Sequence, residues 1–240
     1  MKQSGTSALL QGAVQDLASG VASALRGGGH PSREPLDAPL RPTGDLDLAA
    51  ARVLGADLLL PGVLDHTPPP GARELDLARR AFDAYPPPAT AAPTVAWSHW
   101  ALGRALHRVT GPSGTAPAPG RVPEPGPEPD ASWLTGAPWP SLTHHLAVLA
   151  PLALPVEDCA LTRVARGRTL DVARGFVRAV RRRDWYQAAG AGRWLTVLPD
   201  VPHTLGLPGG LDFVELMGGG DSRVLLQVRA ARLIGSGVTV

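Results

Sequence analysis

Asp65 and His66 in "VLDHTPPP", His99 in "TVAWSHWALGRALHRVTG" and His144 in "LTHHLAVLA" carry the side chains best suited to acid–base or metal chemistry. An Asp–His pair in a loop can orient an imidazole for proton transfer near neutral pH. A hydrolase or metal-dependent enzyme would draw on these four residues, but nothing in their spacing demands it. His99 shares a helical face with Val95, Leu102 and Leu106, as a core-packing histidine would. His107 lies about 80° further round, outside the i, i+4 geometry that places two ligands on one metal. His144 and His145 are adjacent and point in different directions.

Cys159 is the sole cysteine. No internal disulfide or multi-cysteine metal site follows from it, and it reads as a small core side chain. The "GGGDS" segment at 218–222 lacks the lysine and spacing of a phosphate loop and reads as a tight turn. No catalytic residue, metal or cofactor is expected.

The densest chemical feature is cationic. Residues 163–183 hold eight arginines against one acid, Asp171. At about 100° per residue, Arg174, Arg178, Arg181 and Arg182 fall within one arc of about 100°, with Ala173, Phe176, Val177 and Val180 opposite. Such a row can bind phosphates of nucleic acid, each contact adding salt sensitivity, or the acids of a partner protein. No aromatic residues interleave the arginines, and no nucleic-acid-binding signature is present. Lys2 is the sole lysine, Ile234 the sole isoleucine, and asparagine is absent. That bias points to a GC-rich, bacterial genome, and part of the arginine excess is then codon usage. The expectation is a hydrated helix face opposite a core stripe. Trp133 and Trp139, in "ASWLTGAPWPS", form a second candidate surface, an exposed aromatic pair for a protein partner.

These side chains must be positioned by a chain of 240 residues, 44% hydrophobic, with mean hydropathy near zero. That describes a soluble globular class, and no apolar run reaches the roughly 18 residues that cross a bilayer. "SALLQGAVQDLASGVASAL" near the N-terminus is too often interrupted for a secretion signal, so cytoplasmic residence is expected. Residues 1–130 carry a net charge of −2 and residues 131–240 of +4. The isoelectric point near 9.2 therefore rests on the arginine segment.

Periodicity predicts a mainly α fold. Leu10, Val14, Leu17, Val21 and Ala24 form one stripe, and a second helix over "DLDLAAARVLGADLLL" should stop at Pro61. "GARELDLARRAFDAY" follows, with Leu75, Ala78, Phe82 and Tyr85 on one face, and Thr94 and Gly111 should bound the next helix. Ser141, Pro155, Thr169 and Asp184 mark further helix starts. Residues 111–130 contain seven prolines and should be an extended, solvated spacer, with a lesser linker near 27–44. The architecture expected is two helical halves, 1–110 and 131–240, in an orthogonal or antiparallel array. A C-terminal β-hairpin over 211–234 is favoured over a final helix capped by Asp221. Loops made mostly of Pro, Gly and Ala are poor ground for catalysis. The expected function is a non-catalytic intracellular helical interaction module, an adaptor or assembly component, ahead of a nucleic-acid-associated protein and the His/Asp enzyme.

Overall fold

A computed structural model describes residues 2–26, 44–64, 71–111, 126–155 and 157–237. The first part contains α1 (Lys2–Ala24), α2 (Asp45–Leu54), α3 (Leu60–Val63), α4 (Ala72–Ala84) and α5 (Pro93–Thr110). The second contains α6 (Ser132–Thr135), α7 (Trp139–Val148), α8 (Ala160–Arg166), α9 (Thr169–Arg181), α10 (Trp185–Leu195), α11 (Leu207–Gly218) and α12 (Ser222–Gly235). Short 3-10 turns occupy Gly55–Leu59, Ala150–Leu152 and His203–Leu205. The fold is mainly α, and no strand occurs among the described residues.

Helices form where periodicity predicts them, but their buried faces and their ends are displaced by packing and local chemistry. In α1 Val14, Ala18, Val21 and Ala22 are buried, with Leu25 just past its end, whereas Leu10 and Leu17 of the expected stripe are half-buried and Ala24 is exposed. The second helix does not run on to Pro61. Gly55, at φ +60°, ends α2, and Pro61 falls in the first turn of α3, where its missing N–H costs nothing. The buried face of α4 is Leu77, Ala78 and Ala81, with Tyr85 exposed. In α5 it is Pro93, not Thr94, that opens the helix, and Gly111 at φ +60° closes it. Helix α8 begins after Cys159 rather than at Pro155. Just before it, the buried Glu157 carboxylate accepts from Arg104 and Arg108 at 3.3 and 2.8 Å.

The hairpin expected over 211–234 is overturned, because α11 and α12 occupy that segment. Val224, Leu226, Val228 and Ala230 alternate as in a strand, which is why the pattern misleads. All four are buried, together with Gln227, Ala231 and Ile234, because α12 packs against α1, α10 and α11. Its start is chemically specified. Asp221 accepts from the Arg223 backbone N–H at 2.9 Å and from Gln15 Nε2 at 2.8 Å, while Gln15 Oε1 accepts from the Ser222 N–H at 2.6 Å. Two side chains thus satisfy helix-end donors that water would otherwise take.

Most of the proline-rich spacer (112–125) and of the linker near 27–44 (27–43) lie outside the described residues. Residues 126–130, the end of the expected spacer, are exposed except for half-buried Pro129, but they are not free. The Gly126 carbonyl accepts from Trp100 Nε1 at 3.0 Å, and the Asp130 carbonyl accepts from Trp97 and Trp133 at 3.0 and 2.9 Å. Residues on both sides of the spacer share one hydrophobic core, which runs from Ala18 to Ile234.

At its centre lies α10, "WYQAAGAGRWL", whose residues from Ala188 to Leu195 are all buried. It touches α7, α9, α11 and α12. Small residues permit this crowding: a Cβ on Gly190 would stand 2.7 Å from the Ala147 carbonyl oxygen. Trp194 Nε1 donates to the Leu146 carbonyl at 2.6 Å, tying α10 to α7. On α9, a Cβ at Gly175 would stand 2.5 Å from Thr143 Cβ, so α9 too is pressed onto α7. Arg193 is fully buried and reaches across the molecule. Its Nη1 donates to Asp57 Oδ1 at 2.6 Å and to Gln227 Oε1 at 2.9 Å, and Gln227 Nε2 closes the ring onto Asp57 Oδ2.

Removing one member of this ring strands a charge or a polar group in the core. Asp57→Ala should lower stability by about 3–5 kcal/mol, measured as a urea-unfolding midpoint at unchanged slope. The joint replacement Asp57→Leu/Arg193→Met should recover most of that loss. Equal losses in the single and joint variants would show that shape, not charge, dominates there.

Candidate partner-binding groove

The eight arginines of 163–183 separate into two groups. Arg163 and Arg166 pair with Asp158, and Arg163 also with Glu128. Arg168 grips Asp171 through Nε and Nη2 at 2.9 and 2.7 Å, while its Nη1 donates to the Ala137 carbonyl at 2.7 Å. That set clips the start of α9 to the loop before α7. Arg174 retains one exposed pair, with Asp171 at 3.2 Å. Arg178, Arg181, Arg182 and Arg183 have no acid partner among the described residues.

Arg174, Arg178, Arg181 and Arg182 line an open groove of about 780 Å³. Its other walls are Leu170, Ala173 and Val177 of α9, Trp139 of α7, and Pro202, Thr204 and Leu205. The groove follows from how α9 presents itself. Its core face is Thr169, Val172, Ala173, Gly175, Phe176 and Ala179. Val177 does not join that face, as the helical arc predicts, but stands 37% exposed, and Leu170 is 58% exposed. At about 100° per residue these two lie only about 20° apart, between the buried face and the arginines. A second, narrower apolar stripe therefore borders the cationic one.

Two local features hold the walls. Arg178 lies over the Trp139 ring, 5.4 Å from its centroid, a cation–π contact that stiffens both side chains. At the far end of α9, Arg183 adopts φ +58°, and the Asp184 N–H donates back to the Ala179 carbonyl at 2.9 Å. This is a helix-ending geometry normally given to glycine. It turns the chain so that Asp184 can cap α10, accepting from the Gln187 N–H at 3.2 Å.

The structure divides the expected tryptophan pair. Trp139 lines the groove, whereas Trp133 packs edge-on to His145 at 4.9 Å and donates its N–H to the spacer. The expected histidine constellation is not assembled among the described residues. Asp65 and His66 lie outside them. His99 stacks on Phe82 with ring centroids 4.0 Å apart, and exposed His144 meets His145 edge-on at 5.6 Å. No group of three His, Cys, Asp or Glu able to hold a metal occurs among the described residues. Cys159 is buried, and burial pushes its thiol pKa up.

Leu170, Pro202, Thr204 and Leu205 are groove residues that the sequence reading does not single out. For Leu170 a signal existed in the spacing of Leu170, Ala173 and Val177, three and four apart. For 202–205 there was none, because their place depends on how α10 and α11 pack. Compared with family models, curated proteins and solved structures, the chain matches none.

The histidines generate a pH dependence. Burial, then Arg52, holds the pKa of His99 below its ordinary value, against a smaller opposing pull from Asp83. Burial and His144 do the same to His145. The unfolded chain thus binds these protons more readily than the folded one. Stability should be fully present above the unfolded histidine value of about 6.5 and be lost as pH falls below it. The melting temperature should drop between about pH 7.5 and 5.5. The double variant His99→Gln/His145→Gln should flatten that drop, and an unchanged slope would assign it to other groups.

Proposed function

We propose that this protein is a non-catalytic helical interaction module that holds another protein in the groove between α7, α9 and residues 202–205. One observation carries the reading. Exposed Leu170 and Val177 lie beside Trp139 and beneath a rim of arginines, three of which lack an acid among the described residues. Tryptophan and arginine are the residue types on which binding energy concentrates in protein interfaces, and the exposed apolar strip beside them gives a partner a surface to desolvate. The nucleic-acid reading uses the same arginines but gives the apolar wall no role. Phosphates reward charge, not Leu170 or Val177.

The test is partner retention by the full-length chain. Whatever it retains from a cell extract is identified, purified and titrated calorimetrically against the wild type and two groove variants. Val177→Asp and Arg178→Glu/Arg182→Glu should each weaken binding at least about thirtyfold, the scale of a hot-spot loss near 2 kcal/mol. Arg80→Glu, on the outer face of α4, should leave it unchanged. Full affinity in Val177→Asp would remove the groove from the interface. A salt-sensitive oligonucleotide shift that survives Val177→Asp but not the arginine variant would transfer the arginines to nucleic acid.

A further inference from the structure

We infer that the element docking in this groove is an acidic amphipathic α-helix lying lengthwise along α9, an inference that rests on the groove being the partner site. The rim supplies Arg174, Arg178, Arg181 and Arg182, and apart from the Arg174–Asp171 pair no described acid answers them. A partner that filled the apolar wall without bringing carboxylates would desolvate guanidinium groups for no return. A cationic partner would be repelled. Arg178 is already held by its stack on Trp139, so its planar fork is set to meet a carboxylate with little further ordering.

Arg174, Arg178 and Arg182 recur every four residues, which on a helix is a step of about 6 Å. Leu170 and Val177 are seven residues apart, about 10.5 Å. A docked helix has the same rise, so acids at i, i+4 and i+8 would meet successive arginines. Leucines one heptad apart on its neighbouring face would meet Leu170 and Val177.

The groove is walled by helices, the His203–Leu205 turn and the adjoining Pro202, and no strand occurs among the described residues, so it presents no sheet edge to an incoming strand. An extended peptide pressed on Leu170, Val177 and Trp139 would bury N–H and C=O groups with no partners. A helix arrives with those groups already bonded to one another. The helical occupant is favoured for that reason.

Three synthetic peptides of about 16 residues, slightly longer than α9 at 1.5 Å per residue, provide the probes. One carries leucines and glutamates at the spacing above on an alanine background. The second has lysine in place of each glutamate, and the third keeps the glutamates but has two interior prolines. Each is titrated into the full chain by calorimetry, with circular dichroism reporting peptide helix. The glutamate peptide should bind and gain helicity, and the other two should bind at least about tenfold more weakly. Arg178→Glu/Arg182→Glu should lose the glutamate peptide and gain the lysine one, a reversal that a misfolded variant would not give. Equal binding of glutamate and lysine peptides, or of helical and proline-broken ones, would overturn the inference. So would binding of anionic vesicles or an oligonucleotide with no binding of the glutamate peptide. In each case the groove reading stands or falls separately, on whether Val177→Asp releases the natural partner.

Discussion

The interior ring of Asp57, Arg193 and Gln227 is the constraint around which the molecule is arranged. A guanidinium buried completely is tolerable only when a carboxylate meets it, and here that carboxylate comes from a 3-10 turn 136 residues earlier in the chain. Gln227 of α12 bridges both partners. Desolvating the pair makes it a poor source of net stability, but a strong penalty on any arrangement that separates its members. It thereby ties the Gly55–Leu59 turn, α10 and α12 to one relative position. The Nε and Nη2 groups of Arg193 lack partners among the described residues, so the ring gives specificity at an energetic cost.

From that anchor the groove follows by packing. Helix α10 cannot move without breaking the ring, and Gly190 and Trp194 fix it against α7. Helix α9 then has one seat, pressed onto α7 at Gly175 and turned back by Arg183 into the capped start of α10. The consequence at the surface is that Leu170 and Val177 have no interior to enter. The same short contacts that hold the core rigid leave an apolar strip uncovered beside the arginines. Such a closely packed helical wall would suit the proposed binding surface, because little order would remain to be imposed on docking.

Legibility was uneven, for physical reasons. Helical stripes in α1 and α9 showed in the sequence because burial of one face imposes a period near 3.6 on apolar residues. Helix ends were read less well. Gly55 outranked Pro61 as a breaker, since a proline in a first turn is harmless while a glycine at positive φ redirects the chain. The 211–234 segment failed because α12 is buried on several sides. Apolar residues at both even and helical spacing then satisfy two periods at once. The arginine row was visible, but its division into paired and unpaired members was not. Glu128 reaches Arg163 only because residues 126–130 meet α8, while Asp158 and Asp171 answer the rest of the first group from nearby in the chain.

By itself, then, the sequence determined that this chain is helical, where its main apolar stripes lie, and that arginines crowd one segment. Those properties are local, set by residues within a turn or two of each other. Only the tertiary structure decided that Arg193 is interior while Arg178 is at a surface, that Val177 faces outward, and that Trp139 and Trp133 part company. Burial and pairing are properties of what lies opposite a residue. For Arg193 and Arg178 the opposite group is tens of residues or more away along the chain, where no periodicity reaches.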